Sequence, residues 1–476
     1  MKQITYYINY NNMPMKYLNV LKTSLFAIAL QCNTSNAVAD RLLQTQLQLP
    51  EWLTLKIDHR TRYEGYDNAF KTGTHGGDQV LAFRTNVFMG IKYDNFNLGA
   101  EFVDSRIALE GSNTPFNTSL INQTDLAQAY LAWQSHDIFN SGLSFSIKAG
   151  RQTMDVGSRR LVARNRFRNT LNTFTGIDTV ISQTNTWHWR NFVVLPVSRL
   201  PNDKASLQTG RTAFDQESFA RIFAGSFFSI NHLPLNSQGE LYLYYLNEDD
   251  TKNTKTKNRK LFTPGFRWIK TAKTNQFDFE IEAALQSGTS HATTAVSDQT
   301  RLKHFSYFGH MALGYSFDFP WKPQLILQYD YASGDKNPND NKNDRYETLY
   351  GARRFEFGPT GIWGAFARAN INTPGIRLKF KPNTNLTGFI AHRAYWLASN
   401  TDTWVGSGLR DKTGRSGSYI GQQMELRLRW KLIPKMVTLE TGWAHLFKGA
   451  FAKNAPGSPA NKNDSDYFYF QTTLFI

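Results

Sequence analysis

The sequence predicts an all-β chain: one transmembrane antiparallel β-barrel of about 18 strands, after a cleaved signal peptide. Three observations predict it. Strict alternation of apolar and charged residues recurs along the chain. A secretion signal precedes the first alternating segment. The last residues form an amphipathic aromatic strand that runs to the C-terminus.

The N-terminal residues carry the signal. Lys16 and Lys22 supply positive charge, Thr23 to Leu30 an apolar run, and Ala37-Val38-Ala39 a small-x-small cleavage site. The run is too short to span a bilayer as a helix. Residues 1–14 fit neither part, so Met15 is an alternative start. The expected organisation is therefore 1–39 as extension and signal, and 40–476 as one barrel. The only cysteine, Cys32, lies inside the signal, so the mature chain uses no disulfide. Removing residues 1–39 takes away Lys2, Lys16 and Lys22. That leaves 51 Lys+Arg against 38 Asp+Glu, a net charge of +13.

The strand candidates follow in order. In 53–63, Leu53, Leu55 and Ile57 oppose Lys56, Asp58, Arg60 and Arg62. In 81–93, Leu81, Phe83, Val87 and Met89 oppose Arg84 and Asn86. In 143–149, Leu143, Phe145 and Ile147 oppose Lys148. In 277–285, Phe277, Phe279 and Ile281 oppose Asp278, Glu280 and Glu282. In 376–381, Ile376, Leu378 and Phe380 oppose Arg377, Lys379 and Lys381. In 424–430, Met424, Leu426, Leu428 and Trp430 oppose Glu425, Arg427 and Arg429. Period two argues half-buried strands. A soluble sandwich shares that period, but full charges stacked two or three deep on the polar face favour an apolar face to lipid and a charged face to a watery lumen. Apolar residues are only 41% of the chain and aromatics 14%, which suits a barrel with aromatic girdles.

Long polar connections are expected at 66–79, 248–258, 333–345, 400–418 and 449–465, with short turns such as Tyr93-Asp94-Asn95 and Phe319-Pro320 between them. The final stretch, Tyr467 to Ile476, puts Phe468, Phe470, Leu474 and Ile476 on one face. It resembles the closing strand of outer-membrane barrels.

Tests for catalytic chemistry find no His-Glu-x-x-His, no Gly-x-Ser-x-Gly and no phosphate-binding loop. Asp335, Asn337 and Asn339 have partial calcium-loop spacing, but Asp340 stands where the central glycine is needed, and the stretch reads as a solvated loop. No metal and no cofactor is expected, nor a nucleic-acid partner for a secreted barrel.

The basic residues admit two readings. Arginines in a barrel brace the wall against acids, or bind lipopolysaccharide phosphates at the outer rim. Alternatively they line an anion pathway, for which rings of Arg and Lys are the expected lining. Arginine suits carboxylates because its planar fork pairs bidentately and stays charged. Asp58, Asp278, Glu280, Glu282 and Glu425 would then hold lumenal arginines in place. In 150–169, six arginines face a single acid, Asp155. Unbroken alternation would send Arg151 to lipid, so Gly150 is expected to host a bulge that turns it inward.

Several blocks resemble the alginate-export outer-membrane porins. These are Ala149-Gly150-Arg151-Gln152 with Gly157-Ser158-Arg159-Arg160-Leu161-Val162, then Tyr350 to Gly358, His392 to Leu397, Gly408 to Asp411, and Leu446 to Gly449. The resemblance implies a monomeric barrel of about 18 strands in the outer membrane of a Gram-negative bacterium. It also implies an arginine-lined constriction that passes a polyuronate delivered by periplasmic secretion components. Basic constriction positions carry over onto Lys56, Arg84, Arg151 and Arg353 or Arg354. One departure is that 437–443 offers Thr438 and Glu440 where the family supplies a lumenal arginine.

The sequence thus points to an outer-membrane channel, not an enzyme, that passes an anionic polysaccharide by facilitated diffusion. Its anion-binding candidates are Lys56, Arg60, Arg62, Arg84, Lys148, Arg151, Arg159, Arg160, Arg353, Arg354, Arg377, Lys379, Arg393, Arg427 and Arg429. The open alternatives are an uptake porin for small organic acids or oligosaccharides, a barrel-borne lipid or polysaccharide hydrolase, and a barrel that only anchors or occludes.

Overall fold

The computed structural model describes residues 47–476; the signal segment and the choice between Met1 and Met15 lie outside that range. The described chain forms one sheet of eighteen antiparallel wall strands. They are β1 (Leu53–Tyr66), β2 (Asp78–Tyr93), β3 (Phe96–Ala108), β4 (Asn122–Ser135), β5 (Leu143–Gln152), β6 (Phe174–Gln183), β7 (Trp187–Pro196), β8 (Arg221–Leu233) and β9 (Ser237–Glu248). The second half comprises β10 (Lys260–Lys270), β11 (Gln276–Ser290), β12 (Leu302–Ser316), β13 (Gln324–Ala332), β14 (Ile371–Phe380), β15 (Leu386–Trp396), β16 (Tyr419–Ile433), β17 (Val437–Lys448) and β18 (Ser465–Phe475). Each strand pairs with its sequence neighbours. The barrel closes where β1 pairs β18, from Asp58↔Phe475 to Tyr66↔Tyr467. A sheet closed in this way has no edge, so every wall strand has a hydrogen-bonding neighbour on both sides.

The two faces of the wall are inverted relative to a soluble protein. Leu98, Phe102, Leu131, Ile177 and Val193 point outward with about half their surface bare, whereas Arg62, Glu64 and Asp330 inside are fully buried. Charge inside and hydrocarbon outside is the arrangement lipid demands. Outward aromatics such as Tyr93, Phe96, Trp321 and Trp430 lie near the short-turn rim, and Phe447 and Phe468 near the other.

Connections alternate as expected. Short turns such as 94–95, 184–186 and 234–236 join strands at one rim, which is periplasmic by the outer-membrane pattern. Long segments join them at the other. The expected loop 333–345 is longer than the composition indicated. It runs over 333–370 and turns into the barrel, carrying Phe357, Ile362, Trp363 and Phe366, all at most 1% exposed. The 153–173 loop also folds inward, with Leu161, Val162 and Leu171 buried. Both pack against inward Phe and Tyr of the wall. The uniformly watery lumen expected from the strand faces is therefore corrected: the loops place an apolar core inside the barrel. Periodicity reported the wall only, because these inserts have none.

Candidate anion pathway

The inserts are held by the arginines that the strands aim inward. Arg60 donates to the carbonyls of Arg166, Phe167 and Arg168 and to Asn169 Oδ1. Arg84, directly opposite on β2, donates to Arg166 O at 3.1 Å and Arg168 O at 3.0 Å. Arg62 pairs with Glu64 at 2.6 Å and lies over the Phe167 ring. Loop carbonyls folded into a barrel have no strand partner, and these charged donors satisfy them.

Arg160 is the central tie. Its guanidinium bonds Glu280 and Glu282 of β11 at 2.5 Å each, and Glu356 of the other insert. Burial alone would lower its pKa; Glu356, Glu282 and Glu280 outweigh that and raise it well above the ordinary arginine value. Arg368 also bonds Glu356, Arg354 bonds Glu425 at 2.5 Å and Tyr469, and Arg393 bonds Asp330 at 2.5 Å. Arg429 bonds Glu440 at 2.6 Å. The pairs of Arg160, Arg354, Arg368 and Arg393 form an ion-paired septum across the lumen, and the Arg429–Glu440 pair lies nearer the short-turn rim.

Other candidates are less engaged. Lys56 is exposed on the lumenal face 5.9 Å from the Phe88 ring, and Lys148 sits 4.4 Å from the Tyr130 ring. Arg159 is exposed above Phe355. Asp58 and Asp278 do not brace arginines as expected: Asp58 accepts from Asn86 Nδ2 across the strand pair, and Asp278 from Gln324 Nε2 at 2.8 Å. The amides stand nearer than any guanidinium. Asp335 and Asn337 do not converge: Asn337 Oδ1 accepts from Asn339 N, and Asp335 faces Arg410 at 3.7 Å.

Arg151 corrects an expectation. Register is unbroken between β4 and β5 and between β5 and β6, so Gly150 hosts no bulge. Arg151 keeps the outward parity of Ile147 and Ala149. It lies at the long-loop rim, where the 197–220 loop covers it; its head bonds Glu217 at 2.6 Å and Asp215 O. Gly150 serves close approach instead. Its φ is +123°, and a Cβ there would meet Ala129 O at 2.3 Å.

Two basic cavities flank the septum. The outer one, about 370 Å³, is lined by Asn165, Arg168, Asn172, Arg199, Arg353 and Arg368, with no carboxylate in its lining. Among the described residues, the Arg353 guanidinium makes no hydrogen bond or ion pair. Burial, then Arg368, pulls its pKa down to about 10, so it stays charged at neutral pH. Burial, then Arg199 and Arg353, pulls Arg168 well below the ordinary value. Mutual repulsion of this kind marks a cluster short of counter-charge. The inner cavity, about 460 Å³, opens toward the short-turn rim and is lined by Lys273, Lys322, Arg377, Lys379, Lys381 and Arg427, again with no carboxylate. Residues 351–355 separate the two: Arg353 lines the outer, Phe355 the inner.

Arg353, Arg377, Lys379 and Arg427 were among the sequence candidates. Arg168, Arg199, Lys273, Lys322 and Lys381 were not proposed as site residues. They lie in or beside connections, and only the density of arginines in 159–168 pointed toward any of them.

Residues 51–465 match the model of the alginate export family. The chain belongs to that family. A search of curated proteins finds no match. Solved structures with the same fold include OpdK of Pseudomonas aeruginosa with vanillate, at 12% identity and TM-score 0.54, covering 89% of this chain and 98% of that one. OccAB1 of Acinetobacter baumannii is 11% identical with TM-score 0.55, covering 90% and 97%. OccK8 (OprE) of Pseudomonas aeruginosa is 12% identical with TM-score 0.54, covering 89% and 98%. This alginate export family member is thus an eighteen-stranded channel of the Gram-negative outer membrane.

Proposed function

We propose that this channel prefers anions and passes carboxylated saccharides of the polyuronate type by facilitated diffusion, as a monomer and without catalysis. The observation that carries the reading is the outer cavity, where Arg168, Arg199 and Arg353 meet without a carboxylate. Unneutralised guanidinium in a low-dielectric cavity attracts anions and repels cations. The septum arginines contribute little net charge, because each has an acid. They hold the inserts while the unpaired cations supply the field. Many moderate cationic contacts, rather than one tight site, let a solute leave again. Lipid and lipopolysaccharide surround the wall, and periplasmic secretion components would deliver the polymer to the short-turn rim.

Planar-bilayer recording tests the proposal. Polyuronate should block the current more strongly than neutral dextran of equal size; equal block, or no conductance, defeats it. A lipase or lyase assay on the purified barrel addresses the hydrolase alternative. A second reading, passage of small organic acids, is favoured by one observation: cavities of about 370 and 460 Å³ suit single small solutes.

A further inference from the structure

The inner cavity differs from the outer one in kind. It places aromatic faces beside its cations. Phe389 on β15 stands directly between Lys379 of β14 and Arg427 of β16 in one cross-strand row. The Arg377 and Arg427 guanidinium carbons lie 4.7 and 4.9 Å from the Phe389 ring centre. Phe355 and Phe380 complete the apolar lining. Arg377 donates to the carbonyls of Phe355 and Glu356, which fixes its head. Yet the Nε of Arg377 and the Nε of Arg427 are both buried with no acceptor among the described residues. The whole Arg427 guanidinium is without a hydrogen bond or ion pair among the described residues, and a charged donor group left so in a cavity is short of an acceptor. Among the described residues none of the four lysines Lys273, Lys322, Lys379 and Lys381 makes an ion pair. Arg377 lies one lumenal step further from the short-turn rim than Lys379, while Lys273, Lys322 and Lys381 sit in the turns themselves. The forked donors therefore stand deeper in the cavity than those three lysines.

We infer that this cavity is a second anion site, built for a carboxylate carried on a six-membered ring with an apolar face. The carboxylate takes the Arg427 guanidinium, which makes no hydrogen bond or ion pair among the described residues, and Lys379. The ring lies against Phe355 and Phe389, where sugar C–H faces and aromatic rings both pack. Lys273, Lys322 and Lys381 at the rim draw the anion in. The inference rests on the anion-channel reading and adds a site on the periplasmic side of the septum.

Isothermal titration of the full-length barrel in detergent tests it, with D-glucuronate, benzoate, acetate and D-glucose as probes. Glucuronate or benzoate should bind, with acetate weaker and glucose unbound. The arms separate a sugar acid from an aromatic acid as the source. Lys379→Gln with Arg427→Gln should weaken the ring acids by about tenfold or more, the loss of one charged hydrogen bond. Phe389→Leu, which keeps every charge, should weaken the ring acids and leave acetate unchanged. Heat-modifiable gel mobility reports folding; if the double variant fails it, Lys322→Gln with Lys381→Gln replaces it and should slow ring-acid association. Ring acids bound equally by wild type and folded variants, or lost only with Arg199→Gln and Arg353→Gln, would overturn the inner site. Bilayer reversal potentials, measured in parallel, fail only if the channel reading itself is wrong.

Discussion

Replacing Arg160 with Met should release both inserts while leaving the wall closed. Arg160 is 3% exposed and ties Glu280, Glu282 and Glu356 together. The three acids do not lose equally. Glu280 keeps Arg267 at 2.7 Å, and Glu356 keeps Arg368. Glu282 keeps only Tyr242 Oη at 3.0 Å, Ser158 Oγ at 3.1 Å and Arg267 at 3.9 Å. One carboxylate is thus left largely uncompensated, which costs roughly 3 kcal/mol, the low end for a broken buried pair. That raises the undocked fraction of the inserts about a hundredfold. Undocking removes the septum, so conductance should rise and become noisy. Protease should also cut within 333–353 faster, while gel mobility of the barrel stays folded. Arg160→Met with Glu282→Gln removes the orphan charge and should restore most of the protection. Unchanged conductance and unchanged cleavage in the single variant would refute the view that this tie holds the inserts.

Other outcomes follow from the same geometry. Arg353→Gln should lower the anion-to-cation permeability ratio by about sevenfold, since one charge about 7 Å from a watery path shifts anion and cation by roughly 0.6 kcal/mol each in opposite directions; Arg429→Gln with Glu440→Gln, which removes a matched pair, should change it less. The 197–220 loop should loosen with rising pH. Burial, then Asp125, raises the pKa of Asp215 to about 7, so docking favours its protonated form. Docking stability is full below about pH 4 and is lost as pH climbs toward 7. Cleavage within 201–214 should be faster at pH 8 than at pH 5, and Asp215→Asn should abolish that difference. Lys56→Gln should leave folding untouched, because Lys56 is exposed and its ammonium makes no hydrogen bond or ion pair among the described residues, lying 5.9 Å from the Phe88 ring; a loss of heat-modifiable mobility would contradict its placement.

The wall was legible because lipid forces a two-residue rhythm on it. Lys56 to Arg62, Arg377 to Lys381 and Glu425 to Arg429 all announce a lumenal face by alternation alone. The inserts were not legible. Trp363 and Phe366 read as strand-like apolar residues without period, and nothing local shows that they fold inward, Trp363 to meet Phe70 and Tyr467 and Phe366 to meet Tyr395 and Trp404. The partners of Arg60 and Arg84 were hidden for the same reason, being carbonyls more than eighty residues away. Arg151 shows the limit of a glycine argument. Gly150 fits a bulge and a close strand approach equally well in sequence, and only the register against Ala129 and Thr175 separates them. The unpaired cations escaped because pairing is a three-dimensional property. Arg160 and Arg168 look alike in the sequence, yet the first meets three carboxylates and the second meets arginines.

The most direct test is the zero-current potential of the purified barrel in a planar bilayer across a tenfold KCl gradient. Arg168 and Arg353, whose charged neighbours are arginines, on one side of the septum, and six cations on the other, predict a reversal potential of the sign set by chloride. A potential of the sign set by potassium would contradict the account.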